Sequence, residues 1–319
     1  MIIVTGTKRS GTSMWMQILT AAGLPAFGEA FPRNWDKTLK AANPDGFYES
    51  ILRQGIYYRT NPHPQSGAFF HPSQVQRHVV KVFIPGLVRT DLAYIGKVVA
   101  TMRHWREYQR SLERLYAMED EQRGPDASPP ERMPPWLEWW EECFMLMRDI
   151  LIRRHAIHVQ SYDGLLADPS GVITRVLEWL GEPDLDVDAA IAAVRPGNRT
   201  QHRPEVDGVP AAAAEVFDEL YRCVDEAKGL PKALMGRLNE TAVELAPLVQ
   251  QHRKRIATNR PPEPSPRRAS PLARRPPGLA HLTLRAGFAR GTTPASLPPP
   301  LITTPLSRSN PRPDRSGRP

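Results

Sequence analysis

The chain opens on a short apolar run that turns through a glycine loop into a helix, and this start restricts the fold more than any other stretch. Ile2-Ile3-Val4-Thr5-Gly6 is followed by Thr7-Lys8-Arg9-Ser10-Gly11. From Thr12 onward, Met14, Ile18, Leu19 and Ala22 recur at helical spacing until Gly23 stops the pattern. A continuous apolar strand is buried on both faces, so it belongs inside a parallel sheet rather than at a solvated surface. At a strand-to-helix turn, backbone N–H groups and the positive end of the helix dipole converge, which suits an anion. Gly6 and Gly11 are spaced as in a nucleoside-triphosphate loop. Here, however, Gly11-Thr12-Ser13 closes the loop, and the cations Lys8 and Arg9 sit inside it. No lysine stands at the helix start to reach terminal phosphates, which argues against triphosphate hydrolysis. An ordinary glycine-containing turn is the plain alternative.

Further strands are expected at 79–84, closed by Pro85-Gly86, at 97–102 and at 156–161. Helices are expected at 36–42, 47–58, 105–118, 136–154, 169–180, 186–194, 210–227 and 230–255. The 169–180 segment carries Val172, Ile173, Val176, Leu177 and Leu180 at a 3.6-residue period and stops at Gly181. Asp168 and Pro169 suit its N-cap and first helical position. Strands alternating with helices imply an α/β fold, a parallel β-sheet flanked by helices.

Charge divides the chain. The 42 bases and 34 acids split into 31 and 32 over residues 1–258, and 11 and 2 over 259–319. The last segment also holds 15 of the 34 prolines, so it reads as a disordered Pro/Arg-rich tail on a folded domain of 1–258. A folded part with net charge −1 excludes a DNA-coating protein, and no nucleic-acid partner is expected. The two cysteines, Cys143 and Cys223, lack the spacing of a disulfide framework or a zinc site. No apolar run is long enough to span a membrane, and the first residues lack a signal-peptide pattern. The expectation is a soluble, cytoplasmic protein.

Arg9-Ser10-Gly11-Thr12-Ser13 resembles the 5′-phosphosulfate loop of the sulfotransferase superfamily. Arg103, at the end of the 97–102 strand, and Ser111, on the helix that follows, are similar to the family's pair for the 3′-phosphate. His104-Trp105 replaces the common Asp-Pro after that arginine, and Lys8 replaces a common proline. Two further stretches match: Ser161-Tyr162-Asp163-Gly164-Leu165 with Asp168-Pro169, and Asn43-Pro44-Asp45-Gly46-Phe47-Tyr48-Glu49. The resemblance covers about residues 1–182. It implies a P-loop-like sulfotransferase fold and 3′-phosphoadenosine 5′-phosphosulfate (PAPS) as co-substrate, with no metal. Lys8, Arg9, Ser10, Gly11, Thr12, Ser13, Arg103 and Ser111 would bind the donor, and a hydroxylated acceptor would take the sulfuryl group.

Sulfuryl transfer, like phosphoryl transfer, depends on positioning and on stabilising charge. By the resemblance Arg9 is the first choice for the catalytic cation, and Lys81 could neutralise the leaving group. A solvated edge lysine is the alternative reading of Lys81. The same alignment puts Phe83 where small-molecule sulfotransferases place a catalytic histidine, and Phe cannot accept a proton. Glu29 is the first candidate base, at a distance from Arg9 similar to that in the protein-tyrosine branch. Glu49 is the runner-up, and His63 and His71 are further options near an acceptor. Arg195, Asn198, Arg199 and Arg203 match, by position only, a basic segment that closes over the nucleotide. Trp136, Trp139, Trp140 and Phe144 read as core, with an acceptor wall as the alternative. A P-loop nucleotide or small-molecule kinase, and a nucleotide-binding homologue without catalysis, stay open beside the sulfotransferase.

Overall fold

The computed structural model describes residues 1–32, 40, 43–61, 70–123, 128–199 and 203–259. Strand β1 (Ile2–Gly6) leads into α1 (Thr12–Ala21), and β2 is the short Ala26–Phe27. β3 (Val79–Lys81) precedes α2 (Ile84–Arg89), and β4 (Lys97–Met102) precedes α3 (Trp105–Arg123). Next come α4 (Pro135–Arg153), β5 (Ile157–Ser161), α5 (Tyr162–Ala167) and α6 (Pro169–Leu180). Helices α7 (Val187–Ala192), α8 (Ala211–Asp225) and α9 (Lys232–Thr258) complete the described chain.

All five strands are parallel, in the order β2-β3-β1-β4-β5. The strand alternation sends Ile2 and Val4 to one face, where Trp15, Met16 and Leu19 of α1 pack with Val172 and Val176 of α6. Ile3, Val98 and Ala100 face the other way, onto Trp105, Tyr108, Trp136, Trp139, Trp140 and Phe217. The tryptophans of α4 are therefore core, Trp140 stacked on Phe217 and Trp136 and Trp139 tilted against it. The fold class read from the sequence is the one observed.

Three local expectations are corrected. Residues 47–58 do not form a helix: Tyr48 (φ 52°) and Gly55 (φ 107°) take left-handed backbone, and only the short turn Ile51–Gln54 lies between them. The 79–84 strand ends at Lys81, because Pro85 opens α2 rather than closing a strand. Proline's fixed φ and missing N–H suit a first helical turn. Residues 162–167, left between the strand expected at 156–161 and the helix expected at 169–180, form α5, capped by the Ser161 hydroxyl, which accepts from the Gly164 N–H at 2.8 Å. Of the helix expected at 36–42, all but residue 40 lies outside the described residues, as do His63 and residues 260–319.

Candidate functional site

Gly6 at the carboxyl end of β1 is in register with Thr101 near that of β4. From β1 the chain moves outward to β2 and β3, then returns to β4 on the other side. Such a reversal opens a crevice at the carboxyl ends of the strands, where α/β sheets take ligands. A cavity of about 460 Å³ lies here.

Its floor is the loop between β1 and α1. A Cβ on Gly6 would stand 2.4 Å from the Thr101 carbonyl oxygen, so only glycine lets the loop cross β4 this closely. The Ser10 hydroxyl donates to the Thr7 carbonyl at 2.7 Å, and the Thr101 hydroxyl donates to the Ser10 carbonyl at 2.9 Å. Gly11 (φ 100°) sits against the Tyr162 ring, which an added Cβ would meet at 2.8 Å. Arg9 holds a left-handed φ of 63°, a conformation that costs a non-glycine residue about 1 kcal/mol. Helix α1 starts without a side-chain cap and without an acid in its first turn. Its first N–H groups are thus left without a competing carboxylate.

Arg9, Ser111 and Arg103 come together over this loop. Arg9 Nε donates to Ser111 Oγ at 3.2 Å, and Arg103 Nη1 donates to the Arg9 carbonyl at 3.3 Å. Burial, and then the nearby Arg103 guanidinium, push the Arg9 pKa down to about 10. A bound anion would relieve both effects. Arg103 is held from four sides. Its Nε meets Glu107 at 3.2 Å, its guanidinium lies 4.7 Å over the Tyr162 ring, and its carbonyl accepts from Trp139 Nε1 at 2.9 Å. The fourth contact is the Arg9 carbonyl.

Lys81 is buried, with its ammonium 3.0 Å from Glu49, 3.1 Å from the Ser13 hydroxyl and 3.1 Å from the Phe47 carbonyl. Burial lowers its pKa, against the pull of Glu49. It is not the solvated edge lysine. Glu49 also pairs with Arg53 at 2.6 Å, and both residues line the cavity with Lys81 and Phe83. Lys8, Gly11, Thr12 and Ser13 line it too, and Lys8 reaches Glu138 at 3.0 Å.

Glu29 stands elsewhere. It is exposed, it is not among the described residues that line the cavity, and its backbone forms an isolated antiparallel bridge with Glu49. His71 is bound to its own turn through Ser73. Arg195 lines the cavity, whereas Arg199 and Arg203 are drawn to Asp163 at 2.8 and 2.5 Å. Arg199 also meets Glu107, which thereby joins Arg199 to Arg103. Sequence reasoning missed Glu107, Tyr162, Arg53 and Arg114 as parts of this site. Glu107 carried a signal, since it follows Arg103 at i+4, and Tyr162 stood in a stretch matched by the resemblance without a role at the site.

No protein-family profile and no curated protein sequence matches the chain. Among solved structures it is similar to a sulfotransferase domain from the curacin biosynthetic pathway, at 13% identity and a TM-score of 0.30. That match covers 77% of this chain and 96% of that one. It is also similar to retinol dehydratase in complex with androsterone and the inactive cofactor PAP, again at 13% identity and a TM-score of 0.30. There it covers 76% of this chain and 80% of that one. The chemistry of this chain rests on its own cavity.

Proposed function

We propose that the protein is a sulfotransferase that takes a sulfuryl group from PAPS and places it on a hydroxyl of an acceptor. One observation carries this reading: Arg9 of the first loop and Ser111 of α3, far apart in sequence, meet at 3.2 Å beside Arg103 in one cavity. Three features suit a nucleotide with anionic groups at two positions. The cavity gathers Arg9, Arg53, Lys81, Arg103, Arg114 and Arg195, it has an acid-free helix start, and its volume lies in the range of small-molecule sites.

In this reading the loop from Lys8 to Ser13 holds the sulfated phosphate, and Arg103 with Ser111 holds the 3′-phosphate. When bound, PAPS supplies the activated sulfuryl group. Arg9 and the Lys81 ammonium stabilise the negative charge that grows on the bridging oxygen as transfer proceeds. Glu49 lines the cavity beside Lys81 and Glu29 does not, while Glu119, which also lines it, is drawn to Arg132; Glu49 is therefore our choice to accept the acceptor's proton. Lys81 and Arg53 fix its two oxygens. A nucleotide-binding protein without turnover is the second reading, favoured by Phe83 and by the full engagement of Glu49.

Thermal unfolding with PAP, and with ATP plus Mg²⁺, tests donor binding. Transfer of ³⁵S from labelled PAPS to a panel of phenols and sugars tests turnover. Protection by PAP together with labelled product supports the sulfotransferase. Protection by ATP alone points to a kinase and contradicts it, and PAP protection without product on any acceptor favours the second reading.

A further inference from the structure

A second cavity, of about 330 Å³, meets the first at Lys8. Helix α4 gives it Glu138, Glu141, Glu142 and Met145, spaced three and four apart and so on one helical face. Tyr116 of α3, Met133 and Ile256 of α9 add apolar wall. Most charges here are already paired. Glu138 accepts from Lys8 at 3.0 Å and from the Tyr116 hydroxyl at 3.1 Å, and Arg253 pairs with Glu141. Arg132 turns to Asp120 at 2.6 Å. Glu142 differs. The residue is 8% exposed, yet its Oε2 has no hydrogen-bond partner among the described residues. Burial pushes its carboxyl up to about 8; Glu138 and Glu141 add to that push, and Lys8 opposes it.

A buried acid without a partner is costly, and such groups in proteins are normally satisfied. The acid lines a cavity that also has apolar walls, so what would satisfy it is a cation carried on an apolar body. We propose that this second cavity binds an organic primary amine with a small apolar body, its ammonium donating to the Glu142 carboxylate. A bare metal ion fits poorly, because among the described residues no three or more His, Cys, Asp or Glu side chains gather to hold one. The neighbouring Glu138 and Glu141 favour a cation over a neutral donor, and Met133, Met145 and Ile256 offer the body its contact. The site is independent of the donor reading: it stands or falls whether or not PAP binds the first cavity.

Calorimetric titration of the full-length protein at pH 8.5, where the Glu142 carboxyl has lost its proton and an alkylammonium keeps its own, with phenethylamine and with 2-phenylethanol as its uncharged counterpart, tests the proposal. The amine is expected to bind more tightly than the alcohol. Glu142→Gln should weaken amine binding about tenfold or more, the usual worth of a charge-assisted hydrogen bond, and leave the alcohol unchanged. Glu141→Gln, whose carboxylate already has Arg253, should alter amine affinity by less than about threefold. Met145→Trp fills the cavity while keeping the Glu142 carboxyl and should abolish amine binding, which keeps the test open if Glu142→Gln fails to fold. Three results would each overturn the proposal. They are equal amine affinity in wild type and Glu142→Gln, equal affinity for amine and alcohol in wild type, and no amine binding at millimolar concentration.

Discussion

Arg9 and Ser111 hydrogen-bond to each other in the first cavity, so their contributions to donor binding should be coupled. Arg9→Ala is expected to lower kcat by about 10²-fold, because it removes a charge that matters most in the transition state. Ser111→Ala should mainly raise the donor KM. In PAP affinity the double variant should depart from additivity by roughly 0.5–2 kcal/mol, as contacting residues do. Additive losses would mean that the two side chains act at separate places. The base is tested by two isosteric changes. Glu49→Gln should cost about 10²–10⁴-fold in turnover with donor affinity kept, while Glu29→Gln should leave turnover near wild type. The reverse pattern would return the base to Glu29. Position 29 looked the better candidate in the sequence because its distance from Arg9 could be read there. The pairing of Glu49 with Lys81 forms only when the 43–55 segment folds back over α1 and β3, and no local pattern encodes that.

Among the elements, those with a clean period were legible. β1, α1, β4 and α6 stand where apolar spacing and the glycine stops put them, and the anion loop and Arg103 follow because they are contiguous with strand ends. The misses have local causes. The apolar spacing of 47–58 was overridden by left-handed backbone at Tyr48 and Gly55, and a proline taken as a strand stop serves as a helix start. The crossing of the loop and β4 makes a sharp prediction. Gly6→Ala places a methyl 2.4 Å from the Thr101 carbonyl, a backbone atom that cannot swing aside. It should destabilise the protein by about 2–4 kcal/mol in urea unfolding, in the range of overpacked sites and strained backbone. A loss below about 0.5 kcal/mol would show that the loop has slack. The acidic face of α4 predicts a pH effect. The Glu142 carboxyl, raised from 4.5 to about 8, binds its proton more tightly in the folded protein. Its contribution is therefore fully present below the unfolded value and is lost as pH rises toward 8. Glu142→Gln removes that loss, so the variant should be more stable than wild type by roughly 1–3 kcal/mol at pH 8.5 and nearly equal at pH 5. Equal stability differences at the two pH values would contradict the burial of an unpaired acid.

For the whole molecule, the parallel sheet matters because it carries three separate stretches of sequence to one edge: the 6–13 loop, the start of α3 and the start of α5. Glu107 then links Arg103 to Arg199, which is thereby tied to the same edge. Residues 259–319 hold 11 arginines and 15 prolines and few apolar side chains at regular spacing, a composition that does not favour a packed core of its own. We therefore expect a chain ending at residue 259 to behave as the full one does. The central claim is that this edge reads a nucleotide bearing phosphate at both the 3′ and 5′ positions. It is tested most directly by calorimetric titration with PAP and with 5′-AMP, which lacks the 3′-phosphate. PAP is expected to bind at least about tenfold more tightly than AMP, in the full chain and in the shortened one. Ser111→Ala or Arg103→Ala should remove most of that preference while AMP affinity stays nearly unchanged. Equal binding of PAP and AMP by the wild-type protein, or a preference that survives both substitutions, would contradict it.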